Sequence, residues 1–155
     1  MASDIVIVFD CGATNVRVIA TDSAGNIVAS ESFINNTRPD PFDPSFRIWD
    51  IREIWEKMYR ASSRVMQHID KKRIAGATVT TFGVDGTFFS KDGEMLYPVI
   101  SWQCERTKDI MAGIDKYIPL PDLYRENGVL PFSFNTINKL IWFAEKRPDI
   151  PEKSY

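Results

Sequence analysis

The sequence predicts a mixed α/β fold on three observations: an uninterrupted apolar run at its start, two further strand-like segments joined to it by turn residues, and a long helical repeat of apolar residues from position 51. The run Ile5-Val6-Ile7-Val8-Phe9 has no polar break, which suits a strand buried on both faces of a sheet. It ends at Asp10-Cys11-Gly12. A second strand is expected over about 15–21 and a third over about 26–33, with the hairpin chemistry of Asp22-Ser23-Ala24-Gly25 between them. Residues 35–44 hold Pro39, Pro41 and Pro44 among polar neighbours and read as a surface excursion.

From Asp50 the period lengthens. Ile51, Ile54, Trp55, Met58, Ala61, Val65, Met66 and Ile69 recur every three or four residues and predict one buried helical stripe. Asp50 with Glu53 three residues on predicts an N-terminal cap, the first carboxylate accepting from free N–H groups of the opening turn. A fourth strand comes next over about 75–82, then Gly83-Val84-Asp85-Gly86, a hairpin-like pair of segments at 87–90 and 95–102 around Lys91-Asp92-Gly93, and two shorter helices. The last helix is the clearest: Ile137, Leu140, Ile141 and Ala144 share a face, Asn135 can open it and Pro148 closes it. Residues 148–155 read as linker with no finishing element, so the chain is expected to be cut rather than finished.

Length and composition suit one ordinary domain with a core of its own. The chain has 155 residues, 44% apolar and 26% charged with both signs mixed, which argues against a disordered or membrane protein. A net charge of −2 gives no electrostatic case for nucleic acid. No run nears the roughly 18 apolar residues that span a bilayer, and Asp4 precedes the first apolar segment, so a cytoplasmic protein without a membrane partner is expected. Cys11 and Cys104 fit no metal-type spacing and read as reduced packing residues; His68 reads as a solvated helix position.

Chemistry concentrates in Asp10-Cys11-Gly12-Ala13-Thr14-Asn15-Val16-Arg17, an acid at a strand end followed by a tight turn into the next strand. Gly12 and Ala13 let the backbone approach an anion, Thr14 and Asn15 supply N–H and side-chain donors, and Arg17 offers a fork for phosphate oxygens. Asp10 is a hard oxygen ligand for Mg²⁺, reached through water. By residue type alone the same segment serves equally as a plain hairpin turn. The glycine and lysine spacing of the Walker loop is absent.

The segment resembles the first phosphate motif of the actin-like ATPase superfamily. Thr80-Thr81-Phe82-Gly83-Val84-Asp85-Gly86, Leu96-Tyr97-Pro98 and Ile100-Ser101-Trp102-Gln103-Cys104-Glu105-Arg106-Thr107 resemble the sugar-site segments of FGGY carbohydrate kinases. Together with Phe132-Ser133-Phe134-Asn135-Thr136 and Lys139-Leu140-Ile141-Trp142, the set is most similar to members acting on L-fuculose. The resemblance implies a ribonuclease-H-like, actin-like ATPase lobe over about 1–110, the first of two such domains in the full enzyme. Residues 1–155 would form an incomplete amino-terminal domain. It also implies ATP and Mg²⁺ as cofactors, a small-molecule ketose as partner and room for a homo-oligomer. Asp10, Gly12, Thr14, Asn15 and Arg17 would face the phosphates, with Asp10 toward the metal. Asp85, Trp102, Gln103 and Arg106 would face the sugar, Asp85 and Asp10 opening on a common cleft. Members acting on glycerol carry an Arg-Glu pair where this chain has Val84-Asp85, which argues against glycerol. The general-base aspartate and the adenosine domain are expected beyond residue 155, leaving no catalytic residue here and an inactive isolated chain. L-rhamnulose or L-xylulose as substrate, or a non-catalytic sugar-binding module, are the alternatives.

Overall fold

The computed structural model describes residues 4–155, which form a mixed α/β architecture divided into two compact units. One unit holds the chain up to Asn36 together with Asp50–Gly83; the other holds Thr37–Trp49 and Val84–Tyr155. The single lobe expected over 1–110 is therefore divided. The chain leaves the first unit at Thr37 and again at Val84, and residues 84–110 belong with 111–155 rather than with the opening strands.

The first unit is a four-stranded sheet with one helix. β1 (Ile5–Cys11), β2 (Asn15–Asp22) and β3 (Ile27–Ile34) form an antiparallel meander, and β6 (Ile74–Thr80) adds parallel to β1, giving the order β3-β2-β1-β6. The β2–β3 turn is built as its residues dictate: Asp22 Oδ1 accepts from the N–H groups of Ala24 and Asn26, and Gly25 takes φ +86°. α1 (Ile51–Val65) supplies the crossover that a parallel strand requires, packing on β2 and β3.

Its buried stripe is Ile54, Met58, Ala61 and Val65, and on the sheet Ile5, Ile7, Val16, Val18 and Ala20 are buried. Two expectations are corrected here. Trp55 is 70% exposed, because one step along a helix turns a residue about 100° away from Ile54, and Met66 and Ile69 lie past the last helical residue, as does the exposed His68. β1 is also not buried on both faces: Ile5 and Ile7 are covered, Val6 is exposed.

In the second unit a small sheet joins β4 (Arg38–Pro39), β5 (Arg47–Trp49) and β7 (Val99–Ile100) in antiparallel order. Residues 35–44 are thus more than a surface excursion, since Asn35 and Asp40 are buried and Arg38–Pro39 pairs with β5. The hairpin around Lys91-Asp92-Gly93 forms as expected, with Phe89 bridged to Met95 and Gly93 at φ +81°. A 3₁₀ turn at Glu105–Thr107 leads into α2 (Lys108–Ala112), then come α3 (Leu120–Asn127), α4 (Thr136–Lys146) and α5 (Asp149–Glu152). α5 replaces the expected linker: Ile150 is buried in a core with Tyr97, Ile100, Cys104, Ile110, Trp142 and Phe143. No helix among the described residues is long and apolar enough to cross a membrane.

Candidate functional site

In the first unit the sequence places an acid where β1 ends, and pairing gives that acid its neighbours. Asp10 is opposite Arg17 on antiparallel β2 and beside Thr80 on parallel β6, at the carboxyl ends of β1 and β6 where α/β sheets bind ligands. Arg17 directs both Nε, at 2.7 Å, and Nη2 to Asp10 Oδ2. Its guanidinium is thus pinned to the carboxylate rather than extended as an open fork, while Asp10 Oδ1 has no partner among the described residues.

The turn beyond is tight. Gly12 N–H donates to Asn15 O at 2.9 Å, and a Cβ at Gly12 would meet that oxygen at 3.1 Å, closer than most side chains tolerate. The N–H groups of Ala13 and Thr14 have no partner among the described residues. Asn35 braces the turn from below: its N–H donates to Thr14 O at 2.8 Å and its Nδ2 to Gly12 O at 3.0 Å. Lys57 of α1 donates to Asn35 Oδ1 at 3.2 Å and pairs with Glu53 at 2.7 Å. Open N–H donors, a glycine that admits close approach and a half-open carboxylate fit a phosphate chain carrying its own Mg²⁺. Among the described residues no group of three or more His, Cys, Asp or Glu could hold a metal ion. Burial pushes the neighbouring Cys11 thiol up, against an opposing hydrogen bond with Thr81, in keeping with a packing role.

In the second unit Asp85 is enclosed. Its side chain is 0% exposed, with Oδ2 accepting from Trp49 Nε1 at 2.6 Å and Oδ1 from Lys139 Nζ at 2.5 Å. Lys139 also donates to Val84 O at 3.0 Å, which Thr136 Oγ1 reaches at 3.1 Å. Trp102 and Gln103 occupy the exposed turn after β7, where Ser101 Oγ accepts from Gln103 N–H. The Trp102 ring, 40% exposed, meets Phe134 edge-on at 6.0 Å, and Phe134 stacks on Phe132 at 5.0 Å, making an aromatic wall.

Arg106, expected on the sugar side, is as enclosed as Asp85. Its side chain is 0% exposed and donates to Asp40 at 2.6 Å, Tyr97 Oη at 3.2 Å and Cys104 Sγ at 3.1 Å, with its guanidinium 4.4 Å from the Phe46 ring centre. A guanidinium so enclosed organises the protein's interior. A cavity of about 520 Å³ is lined by Arg106 together with Phe46, Trp142, Lys116 and Glu145, but by none of Asp85, Trp102 or Gln103, so it brings only one of the four predicted sugar-side residues to its wall. Asn35, Asp40, Trp49 and Lys139 have no role assigned from sequence; for Lys139 the signals are its place at the head of the Lys139-Leu140-Ile141-Trp142 segment and a lysine set among the apolar positions of α4.

The FGGY family of carbohydrate kinases, N-terminal domain, matches residues 5–154. The chain is 42% identical over 154 residues to an L-fuculokinase of Haemophilus influenzae, covering 96% of this chain and 33% of the relative. It is 37% identical to that of Escherichia coli K12, covering all of this chain and 33% of the relative. The chain thus spans about a third of the length of these relatives. Among solved structures, a ligand-bound xylulose kinase from Lactobacillus acidophilus superposes with a TM-score of 0.84 at 21% identity, covering 97% of this chain and 30% of that one. A Plasmodium falciparum glycerol kinase with ADP gives 0.77 at 18%, covering 97% and 30%. These two likenesses show the fold alone. On the match across residues 5–154, this chain belongs to the FGGY family of carbohydrate kinases, in its N-terminal domain.

Proposed function

We propose that this chain is the amino-terminal part of an ATP-dependent kinase that phosphorylates the primary hydroxyl of L-fuculose. The observation that carries this reading is the 37–42% identity to L-fuculokinases along the whole chain. On it, the Ala13 and Thr14 N–H groups and the Asn15 side chain hold the phosphates of ATP. Asp10 faces the Mg²⁺ that travels with them, and Arg17 keeps the Asp10 carboxylate aimed. Bound Mg·ATP supplies a phosphoryl group whose spreading negative charge is neutralised in place, so these residues act by position and charge.

The sugar side is Asp85 as hydroxyl acceptor, with Trp102 as a surface for the C–H face of the sugar and Gln103 as a polar contact. Arg106 serves the same side indirectly, by fixing the segment that carries Trp102. Val84-Asp85 supports a ketose over glycerol. The proton acceptor for the attacking hydroxyl is proposed to lie in polypeptide outside these 155 residues.

Asp10→Asn in the full-length protein tests the assignment. It is expected to lower kcat on the order of 10²-fold or more while ketose KM changes little, because it removes charge balance at the phosphates rather than a sugar contact. An unchanged kcat with a raised ketose KM would mean that Asp10 serves the sugar.

A further inference from the structure

We propose that Lys139 is a positioning residue for sugar recognition, holding the Asp85 carboxylate and the Val84 carbonyl in one fixed arrangement from α4. This rests on the reading of Asp85 as the sugar acceptor, and the variants chosen to test it separate the two.

The geometry is that of a clamp. Asp85 and Lys139 side chains are 0% and 5% exposed, and the ammonium divides its donors between Asp85 Oδ1 at 2.5 Å and Val84 O at 3.0 Å. Trp49 fixes the other carboxylate oxygen at 2.6 Å from a different element, the end of β5, so the plane of the carboxylate is held at both oxygens. Thr136, one helical turn before Lys139, adds a second donor to Val84 O. The loop so held is bounded by Gly83 and Gly86, where a Cβ would meet nothing within 4 Å, so the two glycines lend it no side-chain packing of their own.

Stability alone does not call for such a pair, since a buried ion pair is often no better than two apolar side chains of the same volume. What it supplies is orientation. A carboxylate has about four acceptor sites, and Lys139 and Trp49 take one on each oxygen, which holds the enclosed group in one orientation. Fixing the group beforehand lowers the ordering cost of binding. Without Lys139 the carboxylate loses its cation, the Val84 carbonyl keeps only the Thr136 hydroxyl, and the acceptor no longer meets the sugar in one orientation.

The test uses the full-length protein, with ketose KM, ATP KM and kcat from coupled ADP release and L-fuculose binding by calorimetry. Lys139→Met is expected to weaken L-fuculose binding and raise ketose KM about ten- to a hundredfold, the range for a hydrogen bond to a charged group, with ATP KM unchanged. Combined with Asp85→Asn it is expected to add little further loss, because it acts through Asp85. If Lys139→Met does not fold, Lys139→Gln, which retains an N–H donor without the charge, is expected to raise ketose KM severalfold with ATP KM unchanged. Unchanged ketose KM in the folded Lys139 variant, or fully additive losses in the double variant, would overturn the positioning role. Unchanged ketose KM in Asp85→Asn would instead overturn the reading of Asp85 itself.

Discussion

Asp40, Tyr97 and Arg106 form a hydrogen-bonded triad with little access to water, and its charges set two measurable properties. Removing the cation strands a buried carboxylate, so Arg106→Met is expected to destabilise the protein by about 3–5 kcal/mol, read from chemical denaturation. Arg106→Lys should recover only part of this, because an ammonium cannot reach Asp40, Tyr97 and Cys104 at once as the guanidinium does. Burial pushes the Asp40 carboxyl up, but the Phe42 N–H, the Tyr97 hydroxyl and the Arg106 guanidinium outweigh it and hold it below its ordinary 3.8. A depressed carboxyl contributes stability above pH 3.8 that is lost as pH falls through the lowered value. Burial, then the hydrogen bond to Asp40, pushes Tyr97 up to about 12. Its contribution is complete below the ordinary 10 and is lost as pH rises through about 12. Ultraviolet titration is therefore expected to show a tyrosine ionising near 12 that disappears in Tyr97→Phe and is distinct from Tyr117, which its hydrogen bond to Glu145 also pushes up. If no such late tyrosine is seen, the triad is not assembled as described. At this scale the tight turn at Asp10–Arg17 was legible because Gly12 and its neighbours are set by local backbone geometry. Arg106 was not, because Asp40, its partner, lies 66 residues away and nothing local to either announces the other.

α1 shows what a period can and cannot tell. Asp50 Oδ1 accepts from the N–H groups of Arg52 and Glu53 at 2.9 and 3.2 Å, the cap that its spacing predicts. Asp50→Ala is expected to cost about 0.5–2 kcal/mol by thermal or chemical unfolding. Met58→Ala, on the buried stripe, is expected to cost about 2–5 kcal/mol, whereas Trp55→Ala should change stability by no more than about 0.5 kcal/mol. A large loss at Trp55 would contradict the register of the helix. The meander β1–β3 and the helices α1 and α4 were legible because each repeats its pattern over several residues, whereas the four-residue α5 does not and read as linker. β4, β5 and β7, two or three residues long, have no period to read, and their pairing depends on residues distant in sequence.

Across the whole molecule the chain divides its chemistry between two units, each of which can be described from its own residues. The turn proposed to hold phosphates belongs to the sheet of the first unit, at the ends of β1 and β6. Asp85, Trp102, Gln103 and the Lys139 clamp belong to the second. This division explains why the resemblance in sequence fell into separate motifs, since each is anchored by a different set of elements. It also explains why a lobe over 1–110 was expected: nothing in the composition around Gly83 marks the chain's change of unit. The central claim is that these two sets serve the phosphorylation of a ketose. Its most direct test is coupled ADP release by the full-length protein with Mg·ATP against L-fuculose, L-rhamnulose, L-xylulose and glycerol. The account predicts ketose-dependent turnover with the highest kcat/KM on L-fuculose, about tenfold or more above glycerol. No turnover on any ketose, or a preference for glycerol, would contradict it.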